Sequence, residues 1–138
     1  MKEKITVFLG GTCDSSTWRK ELINKIDLNK VEVFNPIVEN WSKENQVEED
    51  KHKEEDDICL FVITPEGEGF YSFVEVTDYS NKNPNKTIFC VLYEANGEYF
   101  QEHEKKSISK TIDILKSNGI KILNNLDEVA NYINNYKK

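Results

Sequence analysis

The chain has 138 residues, enough for one compact domain over 1–138 and too few for two ordinary ones. Hydrophobic residues make up 38% and charged residues 31%, a balance that excludes intrinsic disorder and predicts a folded globular protein. A net charge of −7 opposes binding to nucleic-acid phosphates, and no apolar run approaches the roughly 20 residues of a membrane span, so neither nucleic acid nor membrane is an expected partner.

Met1-Lys2-Glu3-Lys4 passes into the first of five apolar runs, Ile5-Thr6-Val7-Phe8-Leu9, with no signal-peptide core between. After Asp14-Ser15-Ser16, a helix start signal, Trp18, Leu22, Ile23 and Ile26 recur at helical spacing. The second run, Val31-Glu32-Val33-Phe34, alternates and reads as an edge strand. A charged, weakly amphipathic stretch over 45–56 predicts a helix, then Ile58-Cys59-Leu60-Phe61-Val62-Ile63 forms the third run. Another helix is expected over 71–81, followed by Thr87-Ile88-Phe89-Cys90-Val91-Leu92. Ile108, Ile112 and Leu115 make a helical stripe that Gly119 stops, before the fifth run, Ile120-Lys121-Ile122-Leu123. Leu126, Val129, Ala130 and Ile133 close the chain on a helix opened by Asn125-x-x-Glu128. The first, third and fourth runs are continuous and apolar, as central parallel strands covered on both faces require. Strand and helix alternating five times predict an α/β, doubly wound, five-stranded parallel sheet in the flavodoxin-like order 2-1-3-4-5, with helices on both faces.

Ligands of such sheets bind beyond the carboxyl ends of the strands. That edge is expected to hold Gly10-Gly11-Thr12-Cys13-Asp14, then Asn35-Pro36 with Trp41, then Thr64 to Ser72, then Tyr93-Glu94-Ala95-Asn96-Gly97. The paired glycines either cradle an anion or simply make a tight turn; they match neither the dinucleotide-binding nor the P-loop pattern. Glu75, six residues after Gly69, falls in the first turn of a helix that begins near Ser72. There the helix dipole favours an ionised nucleophile. Ser72-Phe73-Val74-Glu75 equally matches a capping box, in which Glu75 only satisfies the backbone.

The acidic stretch Glu44–Asp57 reads as a solvated helix face without calcium-loop spacing. Glu49 stands apart, because two turns before Asp57 it lies toward the carboxyl edge and faces Glu75. His52 and His103 read as surface residues, and Cys59 and Cys90 as core. Three cysteines without metal spacing fit a reduced, cytoplasmic protein, and no metal site is expected. Trp18 and Trp41 are core residues, a hydrophobic lid, or stacking surfaces for a flat base.

Taken together, Val7-Phe8-Leu9-Gly10-Gly11-Thr12, Trp18-Arg19, Val33-Phe34-Asn35-Pro36, Trp41, Asp57–Ile63 and Gly69–Glu75 resemble the nucleoside 2-deoxyribosyltransferase-like family over roughly residues 4–93. The resemblance implies a flavodoxin-like fold and transfer of a 2-deoxyribosyl group between nucleobases, or to water, without a cofactor. It implies Glu75 as nucleophile and Glu49 as the residue that handles base protonation. Gly10, Gly11, Thr12, Trp18, Asn35, Pro36, Trp41, Gly69 and Ser72 would border the substrate, a nucleoside or nucleotide. It also implies a homo-oligomer. The chain departs from the family pattern at Phe73, at Val76-Thr77 and over 94–104. Two alternatives accompany this reading: an N-glycohydrolase of NAD or nucleotides, and a nucleotide-binding domain without catalysis, in which Glu75 is only a cap.

Overall fold

A computed structural model describes residues 3–13, 16–38 and 40–138, so the expected Asp14-Ser15 helix start lies outside the described residues. The five apolar runs become β1 (Ile5–Gly11), β2 (Val31–Phe34), β3 (Ile58–Ile63), β4 (Thr87–Val91) and, after an intervening hairpin, β7 (Lys121–Leu123). They pair in parallel in the order β2-β1-β3-β4-β7, the flavodoxin-like arrangement. Every residue of β3 and β4 is buried, which is why both read as unbroken apolar runs.

Side-chain alternation along these strands divides the interior into two layers. On one face, α1 (Trp18–Ile23) and α5 (Leu126–Asn134) place Trp18, Leu22, Val129 and Ile133 against Val7, Leu9, Leu60 and Val62. On the other, α3 (Phe70–Lys82) and α4 (Glu102–Ser117) place Val76, Tyr79, Ile108 and Leu115 against Phe8, Phe61 and Phe89. Asn125 caps α5 by accepting from Glu128 N–H at 2.8 Å, while the Glu128 carboxylate accepts from Asn124 N–H instead of returning to the cap residue. Cys59 and Cys90 are fully buried, and burial pushes each thiol up to about 12.

α2 (Lys43–Glu55) is different in kind. It has no apolar stripe, and among its side chains only Lys53 is buried. Its acidic residues Glu44, Glu48, Glu54 and Glu55 are exposed, as a solvated face requires. Lys86 holds its last turn, donating to the carbonyls of Lys53, Glu54 and Asp56 at 2.7, 2.8 and 3.2 Å. His52 is half-buried, correcting the surface assignment. Its ring stacks on Phe34 with centroids 3.8 Å apart, and Nδ1 lies 3.0 Å from the Asp56 carboxylate. His103 is exposed.

Three further local expectations are corrected. Gly10 and Gly11 do not belong to the turn after β1; they end the strand itself, paired with Phe61 and Val62. The loop after β4 opens into a hairpin, β5 (Glu94–Ala95) and β6 (Glu98–Tyr99), which turns at Asn96-Gly97 with positive φ at both residues. Helix α3 begins at Phe70, because Gly69 takes the left-handed conformation (φ 62°) and ends the loop two residues before the expected start.

Gly11 is held by two constraints at once. Its φ is +127°, and a Cβ built there would lie 2.0 Å from the Val62 carbonyl oxygen. Gly11→Ala is therefore expected to cost about 2–4 kcal/mol through backbone strain and overpacking. Gly97→Ala meets no atom within 4 Å and carries strain alone, a loss of about 1 kcal/mol. Urea denaturation of the two variants checks the contrast.

Candidate active site

Beyond the carboxyl ends of β1, β2 and β3 lies a cleft of about 650 Å³, within the size range of small-molecule pockets. Gly10, Gly11 and Cys13 form its floor. Pro36, Ile37, Val38 and Trp41 form one wall, Gln46 and Glu49 of α2 another, and Glu68 to Ser72 with Glu75 the third. The bare floor has a steric cause: a Cβ on Gly10 would lie 2.7 Å from the Phe61 ring. A second hollow of about 750 Å³ lies at the opposite edge of the sheet, among Lys4, Lys30 and the C-terminal residues, where no strand presents its carboxyl end.

Glu75 and Glu49 line the same cleft from different helices, 26 positions apart in the chain. Glu75 is neither a first-turn residue nor part of a capping box. With Gly69 as the cap position, Ser72 is the third helical residue and Glu75 falls in the second turn, where the dipole acts more weakly. What holds its carboxylate is Lys53, whose Nζ donates to Oε2 at 2.8 Å. The pair is largely shielded, with side-chain exposures of 5% for Lys53 and 14% for Glu75. Burial acts to lower the proton affinity of the Lys53 ammonium. The bond to Glu75 and the charges of Glu75 and Asp50, the latter 3.4 Å away, outweigh it and hold the ammonium above its ordinary range.

Glu49 lies four residues before Lys53, on the same face of α2. Burial raises its carboxyl above the ordinary range; Lys53 opposes that, the charges of Glu75 and Asp50 reinforce it, and Arg19 opposes it. The two carboxyl groups thus differ in environment: Glu75 is locked to a cation, and Glu49 holds a proton more readily than an exposed carboxyl.

Arg19 reaches the cleft from below. Nε, Nη1 and Nη2 donate to the carbonyls of Leu9, Thr12 and Gly11 at 3.1, 2.8 and 3.2 Å. These are carbonyls at the end of β1 that lie beyond the reach of β2, whose pairing stops at Phe8. Burial lowers the Arg19 pKa from its usual value, opposed by Cys13, Glu49 and Glu75.

Three residues expected at the substrate do not line the cleft. Trp18 is buried in the core, its Nε1–H donating to the Thr12 carbonyl at 2.9 Å. Thr12 is buried beneath the floor, where its Oγ1 accepts from Thr64 N–H at 2.9 Å and ties the ends of β1 and β3 together. Asn35 turns its side-chain oxygen onto Ile37 N–H at 3.1 Å. Phe73 packs toward Phe89 in the core. Trp41 lines the cleft and is 59% exposed, joined at the mouth by exposed Phe70 and Tyr71. Sequence reasoning missed Lys53, although the Glu49-x-x-x-Lys53 spacing places both on one face. Among the described residues, no three His, Cys, Asp or Glu side chains converge as a metal site, and no helix is long and apolar enough to cross a membrane.

The sequence model of one family, described as nucleoside 2-deoxyribosyltransferase like, matches residues 4–95. The chain belongs to that family. The match spans β1 to β5 and includes both cleft carboxyl groups, and membership implies a site for a nucleoside. No curated protein matches the chain. The segment beyond Ala95, which holds the second hairpin strand, α4, β7 and α5, lies outside the matched residues of this nucleoside 2-deoxyribosyltransferase-like protein.

Two stability measurements probe the site. Lys53→Met leaves a shielded carboxylate unpaired and is expected to cost about 3 kcal/mol at neutral pH, whereas Lys53→Met/Glu75→Leu recovers most of that loss. A double-mutant cycle in urea checks this. For Glu49, the folded-state pKa lies above the unfolded one, so the unfolded chain gives up its proton first as pH rises and stability falls across that interval. Glu49→Gln is therefore expected to be more stable than the wild type at neutral pH, with the advantage vanishing below the ordinary carboxylate range. Denaturation midpoints of both proteins across acidic to neutral pH test the sign.

Proposed function

We propose that the protein cleaves the N-glycosidic bond of a 2-deoxynucleoside and passes the 2-deoxyribosyl group to a second nucleobase or to water, with Glu75 as nucleophile and Glu49 as acid and base. The observation that carries this reading is the pair of unlike carboxyl groups on one cleft, Glu75 bonded to an ammonium and Glu49 with raised proton affinity. In the first displacement, Glu75 Oε1 forms a bond to the anomeric carbon while the bond to the base nitrogen breaks. The electron pair leaves with the base, which takes the proton held by Glu49. In the second, a nitrogen of the acceptor base or a water oxygen attacks the same carbon. Glu75 departs as carboxylate, and Glu49 recovers a proton from the acceptor. The charge that develops on the sugar is met by a carboxylate poised on the cleft wall.

Apolar and aromatic side chains supply the remainder. Pro36, Trp41 and Tyr71 give flat surface at the mouth on which a base can stack, while Ser72 and the bare Gly10-Gly11 floor leave room for the sugar. The NAD or nucleotide alternative asks for a cation free to meet phosphate. Arg19 is committed to three backbone carbonyls and Lys53 to Glu75, which favours an uncharged nucleoside.

Incubation with a deoxynucleoside and a different free base, followed by chromatography, is expected to show base exchange. Glu75→Gln, which keeps an acceptor for Lys53, should lower kcat by about 10³-fold or more, and Glu49→Gln by about 10²–10⁴-fold. Because Glu49 must carry its proton in the first displacement, kcat/KM should fall as pH rises through its raised pKa, and Glu49→Gln should lose that limb. Neither exchange nor base release from any deoxynucleoside, or full activity in Glu75→Gln, would refute the assignment.

A further inference from the structure

Lys53 does not line the cleft; it stands behind Glu75, with its ammonium 6.0 Å from the centre of the Phe8 ring. Its backbone is fixed as firmly as its side chain. The Lys53 carbonyl accepts from Lys86 Nζ at 2.7 Å and from Cys59 Sγ at 3.1 Å, which ties the last turn of α2 to β3 and to the residue before β4. A lysine carries three donors and no acceptor, so the 2.8 Å contact leaves Oε2 of Glu75 in a fixed role. Glu75 lines the cleft, and its Oε1 has no hydrogen-bond partner among the described residues.

We propose that Lys53 is a positioning residue of the transfer reaction: it reserves Oε2 of Glu75, presents Oε1 to the anomeric carbon, and favours the departure of Glu75 as a carboxylate in the second displacement. The inference rests on the reading of Glu75 as nucleophile. The physical reason is a difference in bond strength between two states of one acceptor. While Glu75 is a carboxylate, the ammonium makes a charge-assisted hydrogen bond to it. Once Oε1 is bonded to the sugar carbon, Oε2 becomes the carbonyl oxygen of a neutral ester and the charge on the acceptor is gone. Lys53 keeps its proton throughout. Its attraction therefore lowers the free carboxylate relative to the ester, and the step that restores the carboxylate is the one it assists. In that step the acceptor nitrogen bonds to the anomeric carbon, the bond from that carbon to Oε1 breaks with its electron pair returning to Glu75, and the acceptor proton passes to Glu49. Asp50, 3.4 Å from the ammonium, keeps Lys53 partnered while the ester exists.

The test combines steady-state kinetics of base exchange with acid-quenched intact-protein mass spectrometry. In Lys53→Met, kcat is expected to fall by about 10²-fold and KM for the deoxynucleoside to fall with it, leaving kcat/KM nearly unchanged, because breakdown of the ester and not its formation becomes limiting. A deoxyribosyl adduct that maps to Glu75 should accumulate, where the wild type shows little. Lys53→Arg, which restores a cation, should recover most of the turnover and clear the adduct. Lys53→Gln retains a neutral donor to Oε2 and is the second variant if Lys53→Met does not fold; it too should accumulate adduct. A merely structural lysine would lower thermal stability and the amount of active protein without trapping the adduct. The proposal is overturned if folded Lys53→Met or Lys53→Gln turns over like the wild type, or slows with no adduct. If the wild type exchanges no base, or does so without Glu75, the reading of the active site falls and this inference with it. If the wild type needs Glu75 and the Lys53 variants behave as the wild type, only the role of Lys53 falls.

Discussion

The ion pair between Lys53 and Glu75 joins two helices that have little else in common. Helix α3 packs on the sheet through Val76 and Tyr79, an ordinary apolar attachment. Helix α2 buries no apolar side chain, so its place against the sheet depends on the stacking of His52 on Phe34 and on polar anchors: Lys53 reaching Glu75, Lys86 closing the last turn, and Tyr79 donating to Glu54 at 3.2 Å. These anchors bring Glu49 to the cleft. A shielded ion pair adds little net stability against an apolar replacement, because both groups lose hydration. Its value here is geometric, since it fixes one carboxylate and leaves the other, one helical turn away from the cation, in an environment that favours a proton.

Beneath the carboxyl groups, the floor shows what a bare surface requires of its surroundings. Gly10 and Gly11 line the cleft with backbone because a Cβ on either would run into Phe61 or Val62, and the carbonyls of β1 that outrun β2 need partners. Arg19 supplies them with three donors from one side chain, and Thr12 clasps Thr64 across the ends of β1 and β3. The hairpin after β4 extends this network. Asn96 at its turn donates to Thr17 at 2.9 Å and to Glu66 at 2.8 Å, so the loop that carries Gly69 is tied to the start of α1. The backbone carbonyls at the end of β1 are thus met by buried Arg19, while exposed side chains tie the neighbouring loops together.

Strand order, the two-layer interior and the fully buried β3 and β4 follow from apolar runs and their alternation with helical patterns, and these were present in the sequence. So were Glu75 and Glu49, because an open parallel sheet sends both toward the same edge, and the Asn125 cap, because its signal is local. The hairpin was written as plainly, in Asn96-Gly97, yet two strands of two residues each carry no periodicity to announce them. What lay beyond reach of the sequence was the partner of each polar group. A lysine in an acidic run reads as solvent-exposed, and a tryptophan after paired glycines reads as core, lid or stacking surface alike. Whether Lys53 turns inward to Glu75, or Trp18 away from the cleft to the Thr12 carbonyl, depends on which elements meet across the sheet. Periodicity records how one segment is buried; the meeting of distant side chains, and with it the raised proton affinity of Glu49, is decided only when the helices are docked.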